Sequence, residues 1–293
     1  MGQDICQSYV EAKEVYQEVD DALNFNLSNI IFNQEAGDIN LTSNTQPAIM
    51  ATSVAIFRVL KKQNIINLND IDLCAGHSLG EYTALVCSDS LSLKDAAIIL
   101  KARGESMQAA VKPGEGAMAA ILGAEPTEIE KIINDGNYNS VEISNDNCPG
   151  QIVISGKKTE VENCSVDIKK KIGKKNIFLP VSAPFHCLLM MPAADKMREL
   201  IMRLNLNIPK LPIVSNVTAS KIQDVKKIKE LLVEQIYKKV RWREIIELML
   251  FHNVNNFIEI GPGKSLSGML KRFKKDIFIK SFNDLNDINI EKC

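Results

Sequence analysis

Ile71-Asp72-Leu73-Cys74-Ala75-Gly76-His77-Ser78-Leu79-Gly80-Glu81-Tyr82 is the stretch from which the rest of the chain is read. Residues 73–76 form a short apolar run preceded by polar Asn69, Asp70 and Asp72, the make-up of a short buried strand. A helical pattern follows His77-Ser78. Positions 76–80 therefore fit G-x-S-x-G in the context that motif requires, a sharp turn between strand and helix with the serine hydroxyl exposed at its tip. At such a turn the helix N-terminus and the amide of Leu79 point toward any developing oxyanion. Five-residue patterns with two free positions also arise by chance; the strand-turn-helix context favours Ser78 as a nucleophile.

Working outward, Ser92-Leu93-Lys94-Asp95 is a capping box that starts the helix carrying Arg103. Upstream, Pro47 is expected to open a long helix with Ile49, Ser53, Ile56 and Leu60 on one face. Strands flanked by helices predict an α/β fold with a mostly parallel sheet. Composition changes near Lys112-Pro113-Gly114-Glu115-Gly116. From there the pattern reads strand 117–122, helix 126–134, strand 141–145, strand 152–155, helix 159–171 and strand 176–181. That βαββαβ order is the ferredoxin-like signature. The expectation is a large, discontinuous α/β domain, 1–112 and 183–293, with a small ferredoxin-like domain, 113–182, inserted in it.

A nucleophilic serine needs a base, and the chain has 3 histidines. His77 is adjacent to Ser78, and neighbouring side chains at such a turn point apart. His252 sits in a helical pattern among Met249, Leu250 and Phe251, where a structural or surface role is expected. His186 is left, in Ala183-Pro184-Phe185-His186-Cys187. Arg103 lies between apolar Ile98, Ile99 and Met107, either as a fork for a substrate carboxylate or as half of a structural ion pair or solvated face. Gly261-Pro262-Gly263-Lys264-Ser265 lacks the phosphate-loop spacing and reads as a turn after a strand at 257–260.

Composition excludes other classes. Lys and Arg total 35 against 36 Asp and Glu, so the net charge of −1 gives no drive toward nucleic acid or anionic membrane. No apolar run approaches the roughly 20 residues that span a bilayer. The 7 cysteines are scattered, without a C-x-x-C, which argues against a disulfide framework or zinc ribbon. Residues 1–10 carry no basic and apolar pattern of a signal peptide.

Several ordered segments resemble one family. Residues 76–82 are similar to the GHSLGEY signature of malonyl-CoA:acyl carrier protein transacylases. Thr45-Gln46-Pro47-Ala48 looks like that family's TQPA segment, and Ala102-Arg103-Gly104 through Met107-Gln108 like its arginine helix. Asn147-Cys148-Pro149-Gly150-Gln151 resembles its N-x-P-G-Q stretch, Ser182–Cys187 its SxPxHC block, and Glu259–Lys264 its E-(I/V)-G-P-G-K block.

The resemblance implies an α/β-hydrolase-like large domain and a malonyltransferase of fatty acid biosynthesis. It implies that Ser78 carries malonate as an ester, that His186 is base and then acid, and that Arg103 pairs with the malonate carboxylate. It further implies Leu79 as an oxyanion donor, Gln46 and Asn147 near the substrate, and the main-chain carbonyl of Gln235 as the group orienting His186. The expected partners are malonyl-CoA and the phosphopantetheine arm of an acyl carrier protein, with no metal or redox cofactor. The expected state is a monomer, with no nucleic acid or membrane partner, in the bacterial cytoplasm or in an organelle if a targeting segment precedes Met1. Two departures stand out. Lys239 replaces a proline of the family's Q-(L/I)-x-x-P-V-x-W segment. The family's opening strand and GQGSQ motif have no counterpart, so one strand and a second oxyanion amide are expected to be missing. The alternatives are a serine esterase and an inactive carrier-protein-binding homologue.

Overall fold

Helices α1 (Gln3–Ser8), α2 (Val10–Leu23) and α3 (Leu27–Phe32) lead into α4 (Thr42–Lys62), the spine of the larger part. These positions come from a computed structural model that describes residues 1–293 apart from Ser182, Lys274, Lys275, Lys292 and Cys293. The Ser182 of the SxPxHC block, the boundary expected at 182, and Cys293 thus lie outside the described residues.

Along α4 the apolar positions face more than one neighbour: Met50, Ala51, Val54, Ile56, Val59 and Leu60 are all buried. The helix begins earlier than its proline suggests, at Thr42, with Pro47 inside it. An interior proline removes one helical bond, and here side chains hold the first turn instead. Thr45 Oγ1 donates to the Ile39 carbonyl at 2.6 Å and Asn44 Nδ2 to the Asp38 carbonyl at 2.9 Å. That turn lies directly on Gly104, where a Cβ would meet Ser43 Cα and the Thr42 carbonyl oxygen at 2.6 Å.

Next come α5 (Gly80–Cys87) and α6 (Leu93–Ala109). The Ser92 hydroxyl caps α6 by accepting from Asp95 N at 3.0 Å, as the sequence pattern requires. Helices α2, α4, α5 and α6 share one apolar core with residues from 183–237, including Met190, Met197 and Leu232.

Residues 116–178 carry β1 (Gly116–Leu122), α7 (Pro126–Asp135), β2 (Glu142–Cys148), β3 (Gln151–Lys157), α8 (Lys158–Ile172) and β4 (Lys175–Phe178). Their antiparallel sheet runs β2-β3-β1-β4. Ile121, Ile129, Ile154, Val161 and Ile168 make a separate core between that sheet and its two helices. The last strand ends at Phe178, short of the 181 read from the apolar pattern.

Then follow α9 (Met191–Met202), β5 (Ile213–Val214), β6 (Lys221–Ile222), α10 (Val225–Gln235), α11 (Trp242–Phe251), β7 (Asn256–Ile260), α12 (Ser265–Leu270), β8 (Phe278–Phe282) and α13 (Leu285–Ile290). The fold is mixed α/β, with its parallel pairing in β7–β8 and in single bridges. Residues 73–76 do not form a full strand: Cys74 makes one parallel bridge to Ile213. Pro212 has no N–H to extend that ladder on one side, and the chain turns away at Gly76 on the other.

Candidate active site

Ser78 sits between the Cys74 bridge and α5 with φ 52°, a left-handed conformation uncommon for a residue with a side chain. The turn is tight. A Cβ on Gly76 would lie 1.9 Å from the Gly80 carbonyl oxygen, so only glycine fits at 76. Position 80 has open space around it, and its glycine is not sterically required. Asn216, just past β5, stitches the turn. Its Oδ1 accepts from Ser78 N at 2.7 Å and its Nδ2 donates to the Gly76 carbonyl at 2.8 Å. Among the described residues the Leu79 amide donates no backbone hydrogen bond.

The serine meets His186. Ser78 Oγ and His186 Nε2 are 2.8 Å apart, and His186 Nδ1 is 2.8 Å from the Gln235 carbonyl oxygen. A carbonyl can only accept, so Nδ1 carries the ring proton and Nε2 presents its lone pair to the hydroxyl. His186 also has a positive φ, 58°, and is buried. Burial, and then the charge of Arg103, push its imidazole down to about 3, so it is neutral at pH 7.

Arg103 projects from α6 into the same space and is 1% exposed. Its Nη1 donates to Gln46 Oε1 at 2.6 Å, while its Nη2 donates to Gln235 Oε1 at 2.9 Å and to Ser78 Oγ at 3.1 Å. The ring of Tyr82 faces the guanidinium at 5.6 Å. Burial lowers the pKa of Arg103. Among the described residues Arg103 forms no salt bridge, and its Nε has no hydrogen-bond partner. Arg103 is therefore neither the ion pair nor the solvated helix face that its sequence context also allowed.

Sequence similarity places this geometry. Residues 1–278 match the acyl transferase domain family. The chain is 41% identical over 294 residues to the malonyl CoA-acyl carrier protein transacylase of Bacillus subtilis (strain 168), covering 99% of this chain and 91% of that protein. The chain belongs to the malonyl-CoA:acyl carrier protein transacylase family. The transacylase of Escherichia coli (strain K12) is 37% identical over 282 residues, covering 96% of this chain and 90% of that one. Among solved structures, the acyl-carrier-protein-S-malonyltransferase from Bartonella henselae superposes with a TM-score of 0.94 at 42% identity, covering 99% of this chain and 93% of that one. A malonyl-transacylase solved in complex with a type II PKS acyl-carrier protein also reaches 0.94, at 35% identity, covering 99% of this chain and 94% of that one.

Of the residues singled out from the transacylase motifs, Ser78, His186, Arg103, Gln46 and Gln235 meet in one hydrogen-bonded group. Lys239 does not displace Gln235, whose carbonyl closes α10 against His186. Asn147 stands one step back: its Oδ1 is 2.9 Å from His77 Nε2, and the His77 ring lies edge-on to Trp242 at 5.5 Å. The small sheet is docked there by backbone. Asp146 N donates to the Val240 carbonyl at 2.9 Å and Val240 N to the Ser144 carbonyl at 2.8 Å. Arg243 grips the buried Asp146 carboxylate at 2.8–3.0 Å.

His252 lies exposed at the end of α11. The 261–265 segment is a turn into α12, and two amides in the first turn of that helix have a partner from this chain. Glu259 Oε1 and Oε2 accept from Leu266 N and Ser267 N at 2.9 and 2.8 Å, where a phosphate loop would hold its ligand.

Two members of the group were not singled out from the sequence. Glu81 is buried within the signature itself, and Asn216 follows an apolar strand. Glu81 Oε2 accepts from Gln235 Nε2 at 2.6 Å and from Asn216 N at 3.3 Å. Burial pushes the Glu81 carboxyl up to about 7, against hydrogen bonds that favour its charged form. An acid at the third position after Ser78, on the inward face of the helix it opens, was the available signal.

Proposed function

We propose that this chain moves a malonyl group from malonyl-CoA to the phosphopantetheine thiol of an acyl carrier protein, through an ester on Ser78. The observation that carries this reading is Arg103, a buried guanidinium that forms no salt bridge among the described residues and ends on the nucleophile's oxygen. A buried cation with no carboxylate bonded to it directly is costly, and a malonate carboxylate brought to Ser78 supplies one.

The steps use groups of this chain. His186 Nε2 takes the Ser78 hydroxyl proton as Oγ bonds to the thioester carbon. The Leu79 amide faces the negative charge that forms on the carbonyl oxygen. The intermediate collapses, the carbon–sulfur bond breaks, and the imidazolium returns the proton to the leaving CoA sulfur. In the second half the carrier thiol gives its proton to His186, its sulfur attacks the ester carbon, and Ser78 leaves with the proton restored. These two half-reactions require no metal or redox group.

Incubation with malonyl-CoA labelled in the malonyl group is the test. The expected result is a stable labelled protein that discharges onto holo carrier protein, with no label in Ser78→Ala at an unchanged thermal midpoint. Loss of a nucleophile costs on the order of 10³-fold or more. A labelled Ser78→Ala protein overturns the assignment of the nucleophile, and release of free malonate in place of a stable ester favours an esterase.

A further inference from the structure

The hydrogen bonds around Ser78 and His186 converge on one oxygen that neither of them touches. Asn216 fixes the nucleophile's backbone, by Ser78 N at 2.7 Å and the Gly76 carbonyl at 2.8 Å. Gln235 fixes the base and the cation, by its main-chain carbonyl on His186 Nδ1 at 2.8 Å and its Oε1 on Arg103 Nη2 at 2.9 Å. Asn216 and Gln235 belong to different elements, one after β5 and one at the end of α10. Both donate to Glu81 Oε2, Gln235 from Nε2 at 2.6 Å and Asn216 from its backbone N at 3.3 Å.

The acceptor also settles which way the Gln235 amide faces. An amide has a donor end and an acceptor end of nearly the same shape. With Glu81 Oε2 and the Ser78 carbonyl on one side, both of which accept, only the NH₂ fits there. Oε1 is then turned to Arg103. Without the Glu81 oxygen, one of three restraints on that orientation is lost, Arg103 and the Ser78 carbonyl being the others, and the Asn216 backbone is left with an unpaired buried N–H.

We propose that Glu81 is a positioning residue for acyl transfer, its buried carboxylate oxygen tying the strand-end clamp on Ser78 to the helix-end clamp on His186 and Arg103. This rests on the acyl-transfer reading above. Glu81 is 4% exposed and Asn216 fully buried, so no water competes for the shared oxygen from outside. Misplacement of reacting groups by about 1 Å can cost 10²-fold in rate, which sets the scale for losing the tie.

The test reads Ser78 with two reagents on the full chain, malonyl-CoA and a fluorophosphonate. The second needs the Ser78–His186 pair and has no carboxylate for Arg103. Glu81→Ala is expected to slow both reactions by about 10–100-fold at temperatures well below its thermal midpoint. Glu81→Gln keeps an acceptor oxygen at the same reach and is expected to stay within about fivefold of wild type. Wild-type rates in a folded Glu81→Ala overturn the proposal, as does a Glu81→Gln as slow as Glu81→Ala. If Glu81→Ala does not fold, Glu81→Asp decides, since it draws the oxygen back by one methylene. A roughly tenfold loss supports the tie and a wild-type rate overturns it. Wild-type protein that reacts with the fluorophosphonate but takes no label from malonyl-CoA overturns the malonyl reading alone, and Glu81 is then judged on the fluorophosphonate rates.

Discussion

Replacing Arg103 by alanine separates substrate recognition from scaffolding. The guanidinium now donates to Gln46, Gln235 and Ser78 and retains an unpartnered Nε. A carboxylate gripped by two of its N–H groups gains roughly 1.5–3 kcal/mol per charge-assisted hydrogen bond, hence about 3–6 kcal/mol. At 1.36 kcal/mol per tenfold, Arg103→Ala is expected to lower kcat/KM for malonyl-CoA by about 10²–10⁴. Acetyl-CoA has no carboxylate to strand, so its use relative to malonyl-CoA rises. The change also strips a donor from the buried Gln46 and Gln235 oxygens, at about 1–3 kcal/mol each, so the thermal midpoint falls as well. The assay is transfer of labelled malonyl or acetyl groups to holo carrier protein below both midpoints. An equal fall for the two substrates refutes the reasoning and makes Arg103 a purely structural residue.

The Glu81 carboxyl should also leave a mark on stability. Its folded pKa of about 7 lies above the unfolded 4.5, so stability is lost as pH rises between the two and is level beyond; glutamine has no such loss. The stability of Glu81→Gln relative to wild type is therefore expected to climb by up to about 3 kcal/mol from pH 5 to pH 8 in denaturant titrations, and a constant difference counts against it. On the small sheet's helix, Lys169 and Lys170 are exposed at the end of α8, with Lys174 and Lys175 following. They complement the helix dipole, and an acidic carrier protein docking there would meet positive charge. Reversing Lys169 and Lys170 to glutamate is expected to raise KM for the carrier protein severalfold at low salt and leave that for malonyl-CoA unchanged; a salt-independent carrier KM removes the patch from the interface.

What the sequence disclosed followed the range of each signal. The βαββαβ order from Gly116 to Phe178 is local, since each helix and strand announces itself by its own period and punctuation, and the antiparallel order follows. The turn at 76–80 was legible for the same reason. The larger part was less so. Cys74 pairs with Ile213 across a long stretch of chain, and nothing near residue 74 says that the ladder is one bridge long. Pro47 misled because its own signal, a helix start, was outweighed by the Thr45 and Asn44 side-chain bonds and by the space above Gly104. Chemistry divides along the same line. Ser78 stands out by motif and His186 by scarcity, whereas Glu81 and Asn216 act through bonds between residues 135 positions apart, which no local pattern encodes.

The two left-handed residues at the site have an evolutionary meaning. Ser78 and His186 each hold a positive φ that costs of order 1–3 kcal/mol for a residue with a Cβ and nothing for glycine. Drift under selection for foldedness alone would run downhill at both positions, toward glycine or asparagine, and the protein would grow more durable as it fell silent. In this chain serine and histidine stand there despite that cost. Glycine at either position would relieve backbone strain while removing a side chain of the candidate site, so that heat resistance and the proposed chemistry pull against each other there.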